Sequence, residues 1–275
     1  MLINWNPDPE ITRLFGILPI RYYGLFFVTG LLLGVQVVKK VYKSEGVPVA
    51  YLETLASYLF LGTIIGARLG HCLFYDFDYY ADHILEMFIP FREVKGSWQF
   101  TGFTGLASHG GAIGILVAIT IYCIKYKMPF LKIMDYLSIG IPVGCIFIRL
   151  GNFMNSEIYG KPTNGDYGVV FMRDDLIPRH PTQLYEAFLY LLVFITVYFY
   201  YQKLRPKYDG VLFGIFLIGM FVSRFLVEFF KENQVAFEDN MTLNMGQWLS
   251  IPFIVIGVFF LFYNQVFGKN TAEFT

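Results

Sequence analysis

The sequence places a row of polar residues directly after a long apolar run, in the segment 149–157 (RLGNFMNSE). If the helix predicted for the run continues, Arg149 and Asn152 lie three residues apart on one face, and Asn155 extends the row. Glu157 follows within two turns. In lipid, such a row persists where it faces a partner, a water-filled cavity or a bound head group. The alternative is an arginine that reaches toward the interface and asparagines that join helices.

Two further arginines, Arg68 and Arg224, also lie within apolar runs. Together with Arg149 they offer up to three guanidinium groups, which suit a phosphate through bidentate hydrogen bonds. Arg224 and Glu228 lie four residues apart, so the spacing predicts an ion pair on one helical face. That pair alone makes both charges tolerable in lipid, and it can also orient Arg224 toward a third group.

A histidine with two adjacent glycines forms a second candidate site, in the segment 108–114 (SHGGAIG). Gly110 and Gly111 would let a ligand approach backbone N–H groups near a helix N-terminus, which is itself an anion site. His109 is suited to act as a general base near neutral pH. The alternative is a histidine whose ring is satisfied by a neighbouring carbonyl.

The composition indicates what must position these residues. The 275-residue chain is 56% hydrophobic and 19% aromatic, and only 15% of its residues are charged. Soluble domains of this length rarely carry so little charge. The formal net charge is zero, which gives no indication of a nucleic-acid partner. The three cysteines lie in apolar runs without a CxxC pair, so their spacing predicts neither a metal site nor a disulfide. We also expect no cofactor.

Seven apolar runs are long enough to span a bilayer at about 20 residues each. Glycines at four-residue spacing within several runs favour close helix packing. The sequence therefore predicts an all-α integral membrane protein, a compact bundle of seven transmembrane helices that forms one polytopic domain over residues 1–275. The connections 75–104 and 152–181 are long and are expected to form a small external cap. The predicted helices lie near 20–41, 52–74, 105–126, 130–151, 182–202, 210–230 and 246–267.

The short connections predict the orientation. Lysine and arginine are concentrated between the first and second, third and fourth, and fifth and sixth helices, whereas acidic residues dominate 75–104. The positive-inside rule then places the N-terminus outside and the C-terminus in the cytoplasm. In this orientation every helix brings a polar side chain to the outer leaflet, which indicates one site at the outer face. These side chains are Tyr23, Arg68, His109, Arg149, Gln183, Glu186, Arg224, Glu228 and Gln247.

Several motifs resemble one known family, the bacterial prolipoprotein diacylglyceryl transferases, in the same order over nearly the whole chain. The segment 149–157 is the most specific of them. The others are YYGL at 22–25, GARLG at 66–70, SHGGAIG at 108–114, RHPTQLYE at 179–186, RFLVEFF at 224–230 and MGQWLS at 245–250.

The resemblance implies an enzyme of the bacterial inner membrane with seven helices and an external head. It would transfer the diacylglyceryl group of phosphatidylglycerol to the lipobox cysteine of a prolipoprotein signal peptide and release glycerol phosphate. Arg149 matches the family's phosphatidylglycerol-binding arginine, and we expect a further set of residues to contact substrate: Arg68, Gly110, Gly111, Gln183 and Glu228. Residues that match positions needed for activity are Tyr23, His109, Asn152, Glu157 and Arg224.

The chain departs from the family pattern at one position and in one segment. Met220 stands where the family usually has a tyrosine, four residues before Arg224. The family's Phe-Phe-Arg-x-Pro-Asp segment is here Phe-Phe-Lys-Glu-Asn-Gln, with Lys231 at the arginine position. Both departures affect the expected rim of the site rather than the expected reaction.

The resemblance leaves the handling of the thiol proton open. His109 is one candidate acceptor, and an arginine–phosphate network with His109 as an orienting group is the other. A different class of function, a transporter or flippase of an anionic amphiphile, also uses polar residues within the membrane. Transporters commonly place their site near the midplane and show internal repeats, whereas this chain shows one-sided polarity and no repeat.

Overall fold

The computed structural model describes residues 2–16, 18–94, 96–102, 105–204, 208–232 and 241–267. Seven of its helices are long and apolar enough to cross a membrane, which confirms the predicted number. Their boundaries fall within a few residues of the predicted ones. The helices are α1 (Tyr22–Ser44), α2 (Val49–Phe74), the short α3 (Phe77–Asp82) and α4 (Ile84–Phe88), α5 (Ser108–Tyr126), α6 (Phe130–Met154), α7 (Thr182–Phe199), α8 (Val211–Val227) and α9 (Met245–Phe267).

The connections contain short strands in addition to helices. One sheet has the order β1-β6-β7, where β1 runs parallel to β6, and the other two sheets are the hairpins β2-β3 and β4-β5. Strands in residues 2–21 are absent from the sequence prediction because runs of four or five residues carry little periodic signal. The strands are β1 (Leu2–Trp5), β2 (Glu10–Leu14), β3 (Leu18–Arg21), β4 (Phe91–Val94), β5 (Ser97–Phe100), β6 (Gly168–Phe171) and β7 (Pro178–Arg179).

The chain divides into two compact units, one of residues 1–41 and 134–275 and the other of residues 42–133. The first contains most of α1 and α6, all of α7, α8 and α9, and the connection 152–181. The second contains α2 to α5 and the connection 75–104. The organisation as a single polytopic domain stays a prediction.

Glycine contacts bring helices of the first unit close together. A Cβ atom on Gly34 of α1 would lie 2.9 Å from the carbonyl oxygen of Gly140 in α6. A Cβ atom on Gly214 of α8 would lie 2.8 Å from the carbonyl oxygen of Gly257 in α9. These backbones therefore approach at the small-residue positions that the four-residue spacing predicts.

Asp135 of α6 contacts the N-terminal end of α8. Its carboxylate accepts hydrogen bonds from the backbone N–H groups of Gly210, at 2.7 Å, and Phe213, at 2.8 Å. The first N–H groups of a helix have no partner within the helix and carry a partial positive charge. The buried carboxylate therefore satisfies the N-terminus of α8 and fixes it to α6.

Helices α2 and α5 form the centre of the second unit. Gly66 and Gly70 of α2 face Gly110 and Gly114 of α5 so closely that a Cβ atom on Gly110 would collide with the carbonyl oxygen of Gly66. In the connection that follows α2, Glu86 accepts hydrogen bonds from the Tyr79 hydroxyl and the backbone N–H of Glu93. Burial raises the pKa of Glu86, but these hydrogen bonds and the nearby charges of His83 and Arg92 together outweigh it and leave the pKa below its usual value.

Candidate active site

The polar row at the end of α6 forms a connected hydrogen-bond chain. Nη1 of Arg149 donates to Oδ1 of Asn152 at 3.2 Å, and Nδ2 of Asn152 donates to Oε2 of Glu157 at 3.3 Å. Nδ2 of Asn155 donates to Oε1 of Glu157 at 3.0 Å. Asn152 is buried, so this chain fixes the guanidinium of Arg149 from the side of its own helix.

The backbone that follows α6 is strained and is held by the start of α7. Ser156 and Ile158 each have φ of 58°, a conformation that is a clear outlier for a β-branched residue. Nε2 of Gln183 donates to the carbonyl oxygen of Glu157 at 2.6 Å, and the Thr182 hydroxyl donates to that of Ile158 at 2.9 Å. Gln183 is completely buried, so its surroundings give it a positioning role. The substrate contact expected of Gln183 stays a prediction.

An ion network joins α6, α7 and the end of α8. Nε of Arg149 lies 2.8 Å from Oε2 of Glu186. Nζ of Lys231 lies 3.0 Å from Oε1 of Glu186 and 3.2 Å from Oε1 of Glu228. Nε of Arg224 lies 3.7 Å from the same oxygen of Glu228, which agrees with the ion pair predicted for this spacing. Three cations and two carboxylates therefore alternate along one network.

The two ends of this network meet at one cavity of about 320 Å³ in the first unit. Arg149 and Arg224 supply its cationic groups, and Met220 lies one helical turn before Arg224. The remaining wall is largely apolar: Cys145, Ile148, Tyr190, Phe216 and Phe221. An apolar cavity with two guanidinium groups is suited to an anionic group attached to a hydrocarbon.

Other polar residues support this site from neighbouring helices. Tyr23 at the start of α1 packs on Gly151 of α6, where an added Cβ atom would lie 3.0 Å from the tyrosine ring. Nδ2 of Asn244 donates to Oε2 of Glu228 at 3.2 Å. Nε2 of Gln247 donates to the carbonyl oxygen of Phe225 at 3.4 Å. The starts of α1 and α9 therefore lie at the same ends of the first unit's helices as Arg149 and Arg224.

Arg68 belongs to the second unit and is committed to backbone carbonyls. Its guanidinium donates to three carbonyl oxygens: Nη2 to that of Glu86 at 2.6 Å, Nε to that of Met87 at 3.1 Å and Nη1 to that of Gly105 at 3.5 Å. The guanidinium also lies over the ring of Tyr80. These contacts give Arg68 a structural role, since it ties α2 to the connection that follows it, and its expected substrate contact stays a prediction.

His109 lies in the first turn of α5, and its side chain is exposed. The neighbouring glycines are buried against α2. Gly110 packs against Gly66 and Gly70, and Gly111 packs against Ala67. These glycines were predicted to let a ligand approach the backbone of α5. In the structure, the backbone of α2 lies there instead. Their binding role, like the catalytic role of His109, stays a prediction.

The connection 152–181 has its own ion cluster. Arg179 pairs with Asp175 at 2.6 Å and with Glu232 at 2.5 Å, so it ties this connection to the segment that carries Lys231. The hydrogen bond from Arg179 lowers the pKa of Asp175. Burial, followed by the hydrogen bond to Asp174, raises the pKa of Tyr159 to about 12. Among the described residues, no group of three or more His, Cys, Asp or Glu side chains is placed to hold a metal ion.

Sequence reasoning missed Lys231 as a member of the site. The residue was interpreted as a departure at the rim, yet its side chain is only 4% exposed. Its spacing of three from Glu228 was a usable signal, because residues so spaced share a helical face. Its other partner, Glu186, is 45 positions away in the chain, and that contact follows only from the fold.

Seven membrane-spanning helices with a buried ion network that opens on an apolar cavity define a membrane protein whose site is suited to an anionic lipid. A profile of the prolipoprotein diacylglyceryl transferase family matches residues 9–263, and the chain belongs to this family. A phosphatidylglycerol–prolipoprotein diacylglyceryl transferase of Bacteroides fragilis is 49% identical over 98% of this chain and 97% of its own length. Proteins of the same name from Tolumonas auensis and Chloroherpeton thalassium are 42% and 41% identical, each over 94% of this chain and over 95% and 93% of their own lengths.

Proposed function

We propose that this chain transfers the diacylglyceryl group of phosphatidylglycerol to the lipobox cysteine thiol of prolipoproteins, the first step of bacterial lipoprotein maturation. Membership of the family supports the reaction. The structural observation that carries the proposal is the shared cavity of Arg149 and Arg224. Its two guanidinium groups match the phosphate of the lipid, and its apolar wall matches the attached hydrocarbon.

Arg149 and Arg224 bind the phosphate in this proposal. In the reaction the cysteine sulfur forms a bond to C3 of the diacylglyceryl group, and the bond from that carbon to the phosphate ester oxygen breaks. The products are a thioether and glycerol phosphate. Negative charge grows on the departing phosphate, so positioned guanidinium groups stabilise the transition state more than the ground state. Asn152, Glu157 and Tyr23 orient Arg149 through the contacts at the end of α6 and the start of α1.

The thiol proton has two candidate acceptors. A neutral thiol is a poor nucleophile, so a base or a positive field must favour the thiolate. His109 is the side chain we propose as the base. In the alternative, the proton passes to the phosphate held by the arginines, and His109 orients the substrate.

The proposal places the protein in the bacterial inner membrane with the N-terminus outside and the C-terminus in the cytoplasm. The distribution of basic residues in the short connections supports this orientation. The ends of the first unit's helices that carry Arg149 and Arg224 then face the outer surface, where exported precursors arrive. Reporter fusions after Lys43 and Lys127 should indicate the cytoplasm, and fusions near Asp82 and Asn164 the outside. A reversed pattern would exclude this orientation.

One assay tests the function directly. Purified protein is mixed with phosphatidylglycerol and a lipobox peptide, and mass spectrometry measures the peptide. We expect the peptide to gain the mass of one diacylglyceryl group and glycerol phosphate to be released. The matched control peptide, with serine in place of the lipobox cysteine, should remain unmodified. Movement of lipid between leaflets of a vesicle without any peptide modification would instead indicate a flippase.

A further inference from the structure

Lys231 occupies a place in the site that the reaction itself does not explain. It directly follows a 3₁₀ turn, Glu228–Phe230, that continues α8, and its N–H donates to the carbonyl oxygen of Glu228. It also forms an isolated β-bridge with Gly160. A side chain at position 160 would collide with the carbonyl oxygen of Phe230, so the bridge requires glycine there. The backbone of Lys231 is therefore fixed, and its side chain extends into the interior with 4% exposure.

The two partners of Lys231 are also the partners of the phosphate-binding arginines. Its ammonium group lies 3.0 Å from Oε1 of Glu186, whose other oxygen lies 2.8 Å from Arg149. It lies 3.2 Å from Oε1 of Glu228, which lies 3.7 Å from Arg224. The ammonium group therefore shares each of the two carboxylates with one of the two arginines.

The charges of the network lead to a specific role. Arg149, Arg224 and Lys231 contribute three positive charges and Glu186 and Glu228 two negative charges, so the network carries one net positive charge. A phosphodiester carries one negative charge, which balances it. Without the lysine the net charge would be zero, because the charges of the two carboxylates would fully balance those of the two arginines. Buried charges without a partner are costly, so the balance matters for binding.

We propose that Lys231 is a positioning residue that sets the charge of this network, and thereby leaves one positive charge beside Arg149 and Arg224 for the phosphodiester of the lipid substrate. This inference rests on the proposed function for the identity of the lipid. It adds that a residue outside the cavity lining determines how strongly the two arginines attract a single phosphate charge.

The central test compares the single variant Lys231→Met with the double variant Lys231→Met/Glu228→Gln. The single variant brings the net charge to zero, and we expect the KM for phosphatidylglycerol to rise at least about tenfold with a smaller change in kcat. The double variant removes one charge of each sign and restores the net positive charge. Its KM should return to within about threefold of wild type, although it has lost two members of the network. A merely structural role predicts that the double variant is no better than the single one.

Further variants distinguish the effect of the Lys231 charge from the effect of its side-chain shape. Lys231→Arg keeps the charge and should retain most of the affinity. Glu228→Gln alone keeps the lysine and should bind phosphatidylglycerol at least as tightly as wild type. The matched control is Lys161→Met, a neighbouring exposed lysine that donates to the carbonyl oxygen of Phe229. Its KM should remain within about twofold of wild type, since its charge is solvated.

A binding measurement keeps this test separate from the test of function. Calorimetry with short-chain phosphatidylglycerol and protein in uncharged detergent reports affinity without any transfer to a peptide. If wild type binds this lipid but transfers nothing, the proposed function fails while the charge proposal is still tested by the variants. An unchanged affinity in Lys231→Met, a double variant no better than it, or weaker binding in Glu228→Gln would each overturn the proposal. If Lys231→Met fails to fold, Glu228→Gln and the double variant decide the outcome.

Discussion

Nε of Arg149 lies 2.8 Å from Oε2 of Glu186, yet that carboxylate oxygen accepts no hydrogen bond within the described part of the chain. The ion pair is therefore close in distance but is not aligned as a hydrogen bond. Charge attraction fixes where the guanidinium lies, while the bond from Nη1 to Asn152 limits how it can rotate. A ligand in the cavity thus meets an arginine that is positioned by its neighbours and still exposed at 15% of its side chain.

Arg149→Lys tests whether the planar guanidinium is required. Lysine keeps the charge but cannot contact Glu186, Asn152 and a phosphate at once. We expect activity to fall by about tenfold to a hundredfold or more, with near-normal membrane abundance, since a hydrogen bond to a charged group contributes about 1.5–3 kcal/mol. Arg173→Lys, an exposed arginine of the connection 152–181, is the control. Full activity in Arg149→Lys would favour an arginine that merely reaches the interface.

His109→Gln tests the proposed base. We expect a lower single-turnover rate with normal folding, because glutamine keeps a polar side chain but cannot accept the proton. His83→Gln serves as the control, since His83 stacks on Tyr79 and has no proposed role in the chemistry. Rates equal to wild type across pH 6–9 would remove His109 from the reaction and favour the arginine–phosphate network.

Gly114→Ala tests the close contact of α2 and α5. The added methyl group would collide with the carbonyl oxygen of Gly62, and neither backbone can move aside cheaply. We expect a loss of about 1–3 kcal/mol in the free energy of unfolding in detergent. In Gly24→Ala, the control on α1, the methyl group meets no atom within 4 Å, so its effect should be neutral or stabilising. Equal stability of the two variants would contradict the packing.

The seven helices were predictable from the sequence because long apolar runs are a strong signal for spans. The pairing of Arg224 with Glu228 was predictable for a similar reason, since it depends only on helical spacing. The role of Gly110 was not predictable from the sequence, because a glycine allows either a ligand or another helix to approach closely. Only the position of the neighbouring helix distinguishes the two roles. Glu186 illustrates the same limit, since its contacts with both Arg149 and Lys231 are visible only in the fold.

Acid should weaken the ion cluster of the connection 152–181. The hydrogen bond from Arg179 lowers the pKa of Asp175 below its unfolded value of about 3.9, so the carboxylate stabilises the fold above that pH. This contribution is lost as the pH falls through the lower, folded pKa. We expect Asp175→Asn to show a flatter dependence of the melting temperature on pH below 5. In an Arg179→Met background the same substitution should have little further effect, and a full effect there would contradict the pairing.

The three cysteines should be dispensable as nucleophiles. Cys72 and Cys123 are buried in the second unit, and Cys145 lines the cavity of Arg149. A variant with all three changed to alanine should fold and keep most of its transferase activity, because in the proposed reaction the substrate supplies the thiol. The Cys72→Ala/Cys123→Ala double variant keeps Cys145, so its comparison with the triple variant measures any small loss of activity caused by replacing Cys145. A diacylglyceryl adduct on one of these cysteines in the wild-type protein would show that transfer passes through the enzyme.

The buried carboxylate of Asp135 gives α8 a mechanical property. At one end of this helix the Asp135 carboxylate accepts hydrogen bonds from the N–H groups of Gly210 and Phe213, and at the other end Arg224 and Lys231 pair with Glu228. Both placements complement the helix dipole. If α8 slid along its axis, these buried charged groups would separate from their partners, which is costly. The helix is thus held at both ends, which fixes the position along its axis of the cavity wall that carries Arg224.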